Sequence, residues 1–285
     1  MFPTYDATRE SLYHPGNANN FFQLGTIKDD AALCAEMSRL AYVKEESRLV
    51  EYLKRAGFQK DKIIGYADNG TQLFIASRPD DNLTVVAFRG TEPDDPSDIF
   101  TDAKFLLTPW TDEAGRPLGQ VHKGFADALL KDGLLQQIVT CLNSMEPPTR
   151  VLLTGHSLGA ALATISASWI TAAHLYTFGS PLVGDATFAQ AVKDIKHFRY
   201  VDCCDLVTRV PPGFGYVHVG SRHYLDRDGQ LLSSPSDAVI AADCLAAEFW
   251  YLQKALLPGN VLSRDFADHT PINYVSGVMG VRIQA

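Results

Sequence analysis

Residues 150–162 read RVLLTGHSLGAAL, and this stretch decides the fold. The run Val151, Leu152, Leu153 and Thr154 has the length and apolar character of a buried strand, and it feeds straight into Gly155-His156-Ser157-Leu158-Gly159. An alanine-rich helical pattern follows from Ala160 to Ala167. Strand before and helix after is the setting in which Gly-x-Ser-x-Gly forms a sharp turn with the serine at its tip. The two glycines remove Cβ atoms where neighbouring backbone must pass close. The helix that starts there aims its first amides at any anion forming above the turn. These residues mark Ser157 as a nucleophile and the amide of the next residue, Leu158, as one donor to an oxyanion.

A serine hydroxyl needs an adjacent base, and that base needs an orienting acid. Behind an elbow of this kind the partners follow in the order acid, then histidine. The histidines after Ser157 are His174, His197, His218, His223 and His269. His174 and His197 precede any plausible acid, and His218 alternates with Val217 and Val219 as in a strand. His269 sits in the polar segment Asp265 to Pro271, just before a last helical run, where a base is readily presented. It is the expected base, with His223 the runner-up. For the acid, the strand from His197 to Val201 ends at Asp202-Cys203-Cys204-Asp205, and strand C-terminal ends carry the functional groups of open α/β sheets. Position alone does not separate Asp202 from Asp205.

Further strings now join the elbow: FRGT at 88–91, VHKGF at 121–125, YTFGSPLVGD at 176–185 and DLVTRVPP at 205–212. Together, and in this order over roughly residues 30–280, they resemble the fungal-type class 3 lipases. The resemblance implies an α/β-hydrolase fold: a central mixed, mostly parallel sheet flanked by helices, with the nucleophile elbow after a central strand. It implies a triad of Ser157, Asp205 and His269, and it gives Thr91 the second oxyanion donor beside Leu158. Tyr42 resembles the family's aromatic residue beside the active site, and His122 matches a motif of mainly structural role. The family places a lid after the oxyanion loop, so Ile99 and Phe100 become candidate substrate contacts with Tyr42.

At 285 residues and 46% hydrophobic, the chain can bury one large core, and a single domain over 1–285 is expected. Periodicity predicts helices near 28–55, 124–143, 185–193, 236–257 and 271–279. It predicts strands near 62–67, 71–77, 83–88, 173–178 and 197–202, with a ribbon near 216–232. The early strands are joined by short polar turns and read as an antiparallel meander, and the later ones alternate with helices as parallel crossovers. The net charge of −8 disfavours nucleic acid and anionic membranes as standing partners. Cys34, Cys141, Cys203, Cys204 and Cys244 do not suggest a framework of bridges, since an adjacent pair makes a poor disulfide. No Cys-x-x-Cys or His-x-x-x-His spacing marks a metal site, and no motif calls for a cofactor. The start, Met1 to Asp6, lacks a basic and apolar leader, so a cytoplasmic protein is expected, unlike the secreted fungal members. A secreted protein that has lost its signal would read the same. The oligomeric state is left open.

Substrate choice turns on what covers the site. Residues 91–105 are acidic and broken by Pro93 and Pro96, with Ile99, Phe100 and Phe105 as the main large apolar groups. Such a lid would adsorb weakly to a lipid interface, because apolar area and cationic attraction both drive adsorption. The helix predicted from Asp237 to Leu257 is apolar over most of its circumference and reads as core-packed, with an acyl-pocket wall or a subunit contact as alternatives. Asp243, Glu248 and Lys254 exclude a membrane span. Expected is a serine carboxylic-ester hydrolase acting on acylglycerol. A short-chain carboxylesterase, a feruloyl-type esterase, a phospholipase A1 or an inactive binding module on the same scaffold are the alternatives.

Overall fold

The strand that ends in the elbow lies inside a mixed sheet covered on both faces. The computed structural model describes residues 5–24, 27, 29–65, 72–90, 105–145, 150–170, 173–213 and 215–282. In chain order the helices are α1 (Arg9–Tyr13), α2 (Asp30–Leu40), α3 (Glu46–Arg55), α4 (Lys123–Leu130), α5 (Leu134–Asn143), α6 (Leu158–Ser166), α7 (Ala186–Ala191), α8 (Asp237–Ala255), α9 (Arg264–Ala267) and α10 (Pro271–Val278). The first six strands are β1 (Gln59–Gly65), β2 (Gln72–Arg78), β3 (Leu83–Phe88), β4 (Leu107–Thr111), β5 (Pro117–His122) and β6 (Arg150–His156). They are followed by β7 (His174–Phe178), β8 (Gly184–Asp185), β9 (His197–Asp202), β10 (Tyr216–Val217), β11 (Ser221–Leu225) and β12 (Leu231–Leu232).

Among the described residues the main sheet runs β1-β2-β3-β6-β7-β9-β11-β12. β3, β6, β7, β9 and β11 are parallel, while β1, β2 and β12 add antiparallel edges. This is the α/β-hydrolase architecture. Side chains of the central strands alternate between two cores. Leu152 packs with Leu33, Met37 and Leu40 of α2, and Leu153 with Ala126, Leu129, Ile138 and Leu162 from the other helical layer. Val85 and Ala87 face the first core, Val86 and Phe88 the second. Burial on both faces is why these strands read as unbroken apolar runs. Each such leucine is worth about 2–5 kcal/mol against truncation to alanine.

Several expectations are corrected. The helix expected over 28–55 is two, because the weak helix formers Tyr42 and Val43 leave the helical path after Leu40. The helix expected over 124–143 breaks at Lys131–Gly133, where Asp132 and Gly133 turn left-handed with φ of 54° and 67°. A second antiparallel sheet, β10-β8-β5-β4, forms in part between residues 107 and 122, where no strand is expected from the sequence. Its hairpin strands are short and carry Pro109 and Gly119, which mask a strand pattern. The ribbon expected over 216–232 is divided: Tyr216–Val217 joins this small sheet, and after Gly220 (φ 81°) β11 joins the main sheet beside β9. Finally, α8 is not core-packed. Among the described residues it buries Cys244, Ala247 and Tyr251, whereas Leu245, Phe249 and Leu252 are 69%, 77% and 63% exposed. No helix among the described residues is long and apolar enough to cross a membrane.

Candidate active site

Backbone strain singles out the serine of the elbow. Ser157 has φ 58° and ψ −127° between β6 and α6, a backbone state that costs on the order of 1–3 kcal/mol for a residue with a side chain. The turn is held by the Ser157 amide, which donates to the Phe178 carbonyl at 3.0 Å. Its flanking glycines are sterically required. A Cβ on Gly155 would lie 2.3 Å from the Gly159 backbone, and one on Gly159 would lie 2.3 Å from the Phe88 carbonyl oxygen. Leu158 opens α6, so its amide belongs to the first turn and has no acceptor within the helix. The loop after β3 meets this turn at Gly90, whose Cβ would come 3.2 Å from Ser157 Cβ and 2.1 Å from the Tyr42 hydroxyl. Thr91, Ile99 and Phe100 lie outside the described residues, as does most of the acidic span.

His269 and Asp205, 64 positions apart in the chain, meet at the C-terminal edge of the sheet. His269 Nδ1 donates to both carboxylate oxygens of Asp205, at 3.0 and 2.9 Å, and both side chains are buried. The carboxylate also accepts from the Val207 amide at 2.9 Å and the Tyr274 hydroxyl at 2.6 Å. Its orientation is thus fixed from three sides. Gly179, with φ 61°, leaves room for the pair, since a Cβ there would lie 2.8 Å from Asp205 Oδ2 and 3.0 Å from the His269 ring. Asp202 points elsewhere: it is fully buried against the Arg282 guanidinium, with Nη1 at 3.0 Å. His223 lies in β11, its ring stacked on Tyr200 at 5.0 Å between centroids. His122 caps α4 by accepting from the Gly124 amide.

Three supporting residues were not singled out from the sequence. Tyr274 is one, bridging Asp205 to the Asp202 amide. Asp268 is the second: it takes hydrogen bonds from Tyr5, Arg264 and the Cys204 amide, and so fixes the chain just before His269. The third is His156. Its Nε2 donates to the His269 carbonyl at 2.8 Å, so its Nδ1 accepts from the Tyr42 hydroxyl at 2.9 Å. Tyr42 therefore lies beside the elbow in a buried chain of hydrogen bonds. Only the His156 position, inside the Gly-x-Ser-x-Gly string, carried any signal.

Burial keeps His156 neutral, well below the ordinary histidine range, and pushes His197 down to about 3. The unfolded chain takes up these protons near 6.5, the folded chain only at much lower pH. Stability contributed by the neutral rings is therefore present above that value and is lost as pH falls towards about 3. The melting temperature is expected to drop steadily below about pH 6.5. A melting temperature unchanged between about pH 7 and 5 would contradict this assignment.

Residues 85–214 match the family model for lipase (class 3). The secreted mono- and diacylglycerol lipase 1 of Fusarium solani is 35% identical over 114 residues, covering 37% of this chain and 34% of that protein. A lipase of Rhizomucor miehei is 28% identical over 191 residues, covering 61% of this chain and 50% of that protein. The matches thus span about a third to a half of these curated relatives. Among solved structures, the lipase from Rhizopus microsporus var. chinensis superposes with a TM-score of 0.54 at 25% identity, over 73% of this chain and 74% of that one. The Fusarium relative is named as secreted, and the cytoplasmic expectation finds no support in these comparisons. The strained serine turn, set in a sheet of this topology, lies within the stretch that matches the class 3 lipase model, and over that stretch the chain is similar to the fungal-type class 3 lipases.

Proposed function

We propose that this chain is a serine carboxylic-ester hydrolase of the triacylglycerol lipase type, built as one domain over 1–285. The observation that carries the reading is the bidentate hold of Asp205 on His269 Nδ1, in a fold whose elbow presents Ser157. With Nδ1 protonated and held, the Nε2 lone pair is free to act as the base. His269 takes the Ser157 proton as Oγ attacks the ester carbonyl, and Asp205 stabilises the imidazolium that forms. The amides of Leu158 and Thr91 hold the oxyanion, His269 then protonates the leaving alcohol, and water repeats the cycle on the acyl-enzyme. Acylglycerol as substrate is supported by the names of the relatives. Tyr42, Ile99 and Phe100 are proposed to border the acyl site.

A fluorophosphonate probe should label the protein once, at Ser157. Failure to label would favour an inactive binding module. A chain-length series of p-nitrophenyl esters then fixes the substrate class. The acidic run from Glu92 to Asp98 favours short to medium chains in solution and little gain in rate at an interface, since buried charge opposes transfer from water. A several-fold jump at the solubility limit of tributyrin would overturn that expectation. The exposed Leu245, Phe249 and Leu252 face of α8 would then be the better interfacial surface.

A further inference from the structure

Cys203, Cys204 and Cys244 converge behind the loop that carries Asp205. The first two follow β9, and the third reaches in from α8; all three are buried free thiols. Their sulfur atoms lie within 4.8 Å of one another, and those of Cys203 and Cys204 are 3.6 Å apart. Buried cysteines ordinarily behave as single small hydrophobes among hydrocarbon. This cluster is polar at its rim. Asp243 Oδ2 lies 3.3 Å from Cys203 Sγ, and Arg209 Nη2 lies 3.5 Å from Cys244 Sγ.

We propose that Cys203, Cys204 and Cys244 bind one thiophilic divalent cation of the zinc class through their three sulfurs, with Asp243, which touches Cys203 at the rim of the cluster, turning in as the fourth ligand. Two thiolates on a tetrahedral zinc, each at about 2.3 Å, stand about 3.8 Å apart, close to the 3.6 Å between Cys203 and Cys204, and the Cys244 sulfur is within 4.8 Å of both. Three sulfurs and a carboxylate suit a soft d¹⁰ ion better than a hard one. The Asp243 carboxylate is held by the Tyr224 hydroxyl at 2.9 Å and the Arg227 amide at 3.0 Å, both donating to Oδ2, the oxygen that also faces Cys203, as outer-shell partners of a ligating carboxylate do. Four ligand charges exceed the two of the cation, and the excess falls beside the guanidinium groups of Arg209 and Arg227. Binding releases the thiol protons to solvent. The ion would tie α8 to the turn after β9 and brace Asp205 from outside the reaction, because the Cys204 amide also holds Asp268. Sequence spacing concealed the site: an adjacent cysteine pair and a third forty residues on match no common ligand motif.

The test is anaerobic titration of reduced, chelator-stripped protein with Cd²⁺. A sulfur-to-metal charge-transfer band should saturate at one ion per chain, and three of the five thiols should become protected from a thiol reagent. Zn²⁺ should give the same protection and raise the melting temperature. Cys244→Ser should weaken binding by about 100-fold or more, whereas Cys34→Ser and Cys141→Ser should not. If Cys244→Ser does not fold, Asp243→Asn and the thiol count of the unmodified protein decide. A missing band, a band that survives Cys244→Ser, or a stripped protein whose cluster thiols are already lost to a disulfide would overturn the proposal.

Discussion

Ser157→Ala is expected to abolish ester hydrolysis, with a loss on the order of 10⁶ in kcat, while the protein stays folded. The size of the loss follows from the triad acting as a unit: without Oγ there is no acyl-enzyme, and a positioned His269 has nothing to deprotonate. The fold should tolerate the change because the Ser157 side chain caps no amide of α6 and the backbone strain is the same for alanine. Glycine offers a finer check. With φ at 58°, Ser157→Gly should be equally inactive yet melt at a temperature no lower than the unmodified protein, since glycine reaches this backbone state readily. Ester turnover and thermal melts on the same preparations read both effects. A Ser157→Ala variant that kept about a tenth of the activity would remove this serine from the mechanism.

What the sequence conveyed divides by the range of the forces involved. β3 and β6 were legible because each bears a run of residues that must be buried on both faces, a local pattern with one outcome. The turn at Ser157 was legible for a similar reason, its two glycines being required by contacts within a few residues and with β3. The choice between Asp202 and Asp205 was not local. It depends on His269, 64 positions away, and on Arg282, 80 positions away, and no spacing rule encodes such pairings. Tyr274 and His156 were hidden in the same way, as an ordinary helical tyrosine and as the variable position of a motif. α8 misled for a different cause. Its composition is that of a buried helix, but among the described residues little covers it beyond Tyr5, Leu12, Val261 and the thiol cluster.

The two aspartates should separate cleanly when each is replaced by asparagine. Asp205→Asn is expected to lower kcat by about 10⁴, because an amide can no longer hold the imidazole in the right tautomer or stabilise its charged form. The fold should persist, since the asparagine oxygen can keep the Val207 amide, which bonds Oδ1, while its NH2 group donates to the Tyr274 hydroxyl, which bonds Oδ2 in the unmodified protein. Asp202→Asn should show the opposite pattern. Its carboxylate neutralises Arg282, which is buried and also donates to the Asn273 carbonyl, so neutralising Asp202 leaves a charge without its partner. Breaking such a pair costs about 3–5 kcal/mol, enough to lower the melting temperature by many degrees while the folded fraction keeps most of its turnover. One variant thus loses chemistry and keeps stability, and the other loses stability and keeps chemistry. If Asp202→Asn were the inactive, stable protein, Asp202 would be the orienting acid, and the contact between Asp205 and His269 would be structural support alone.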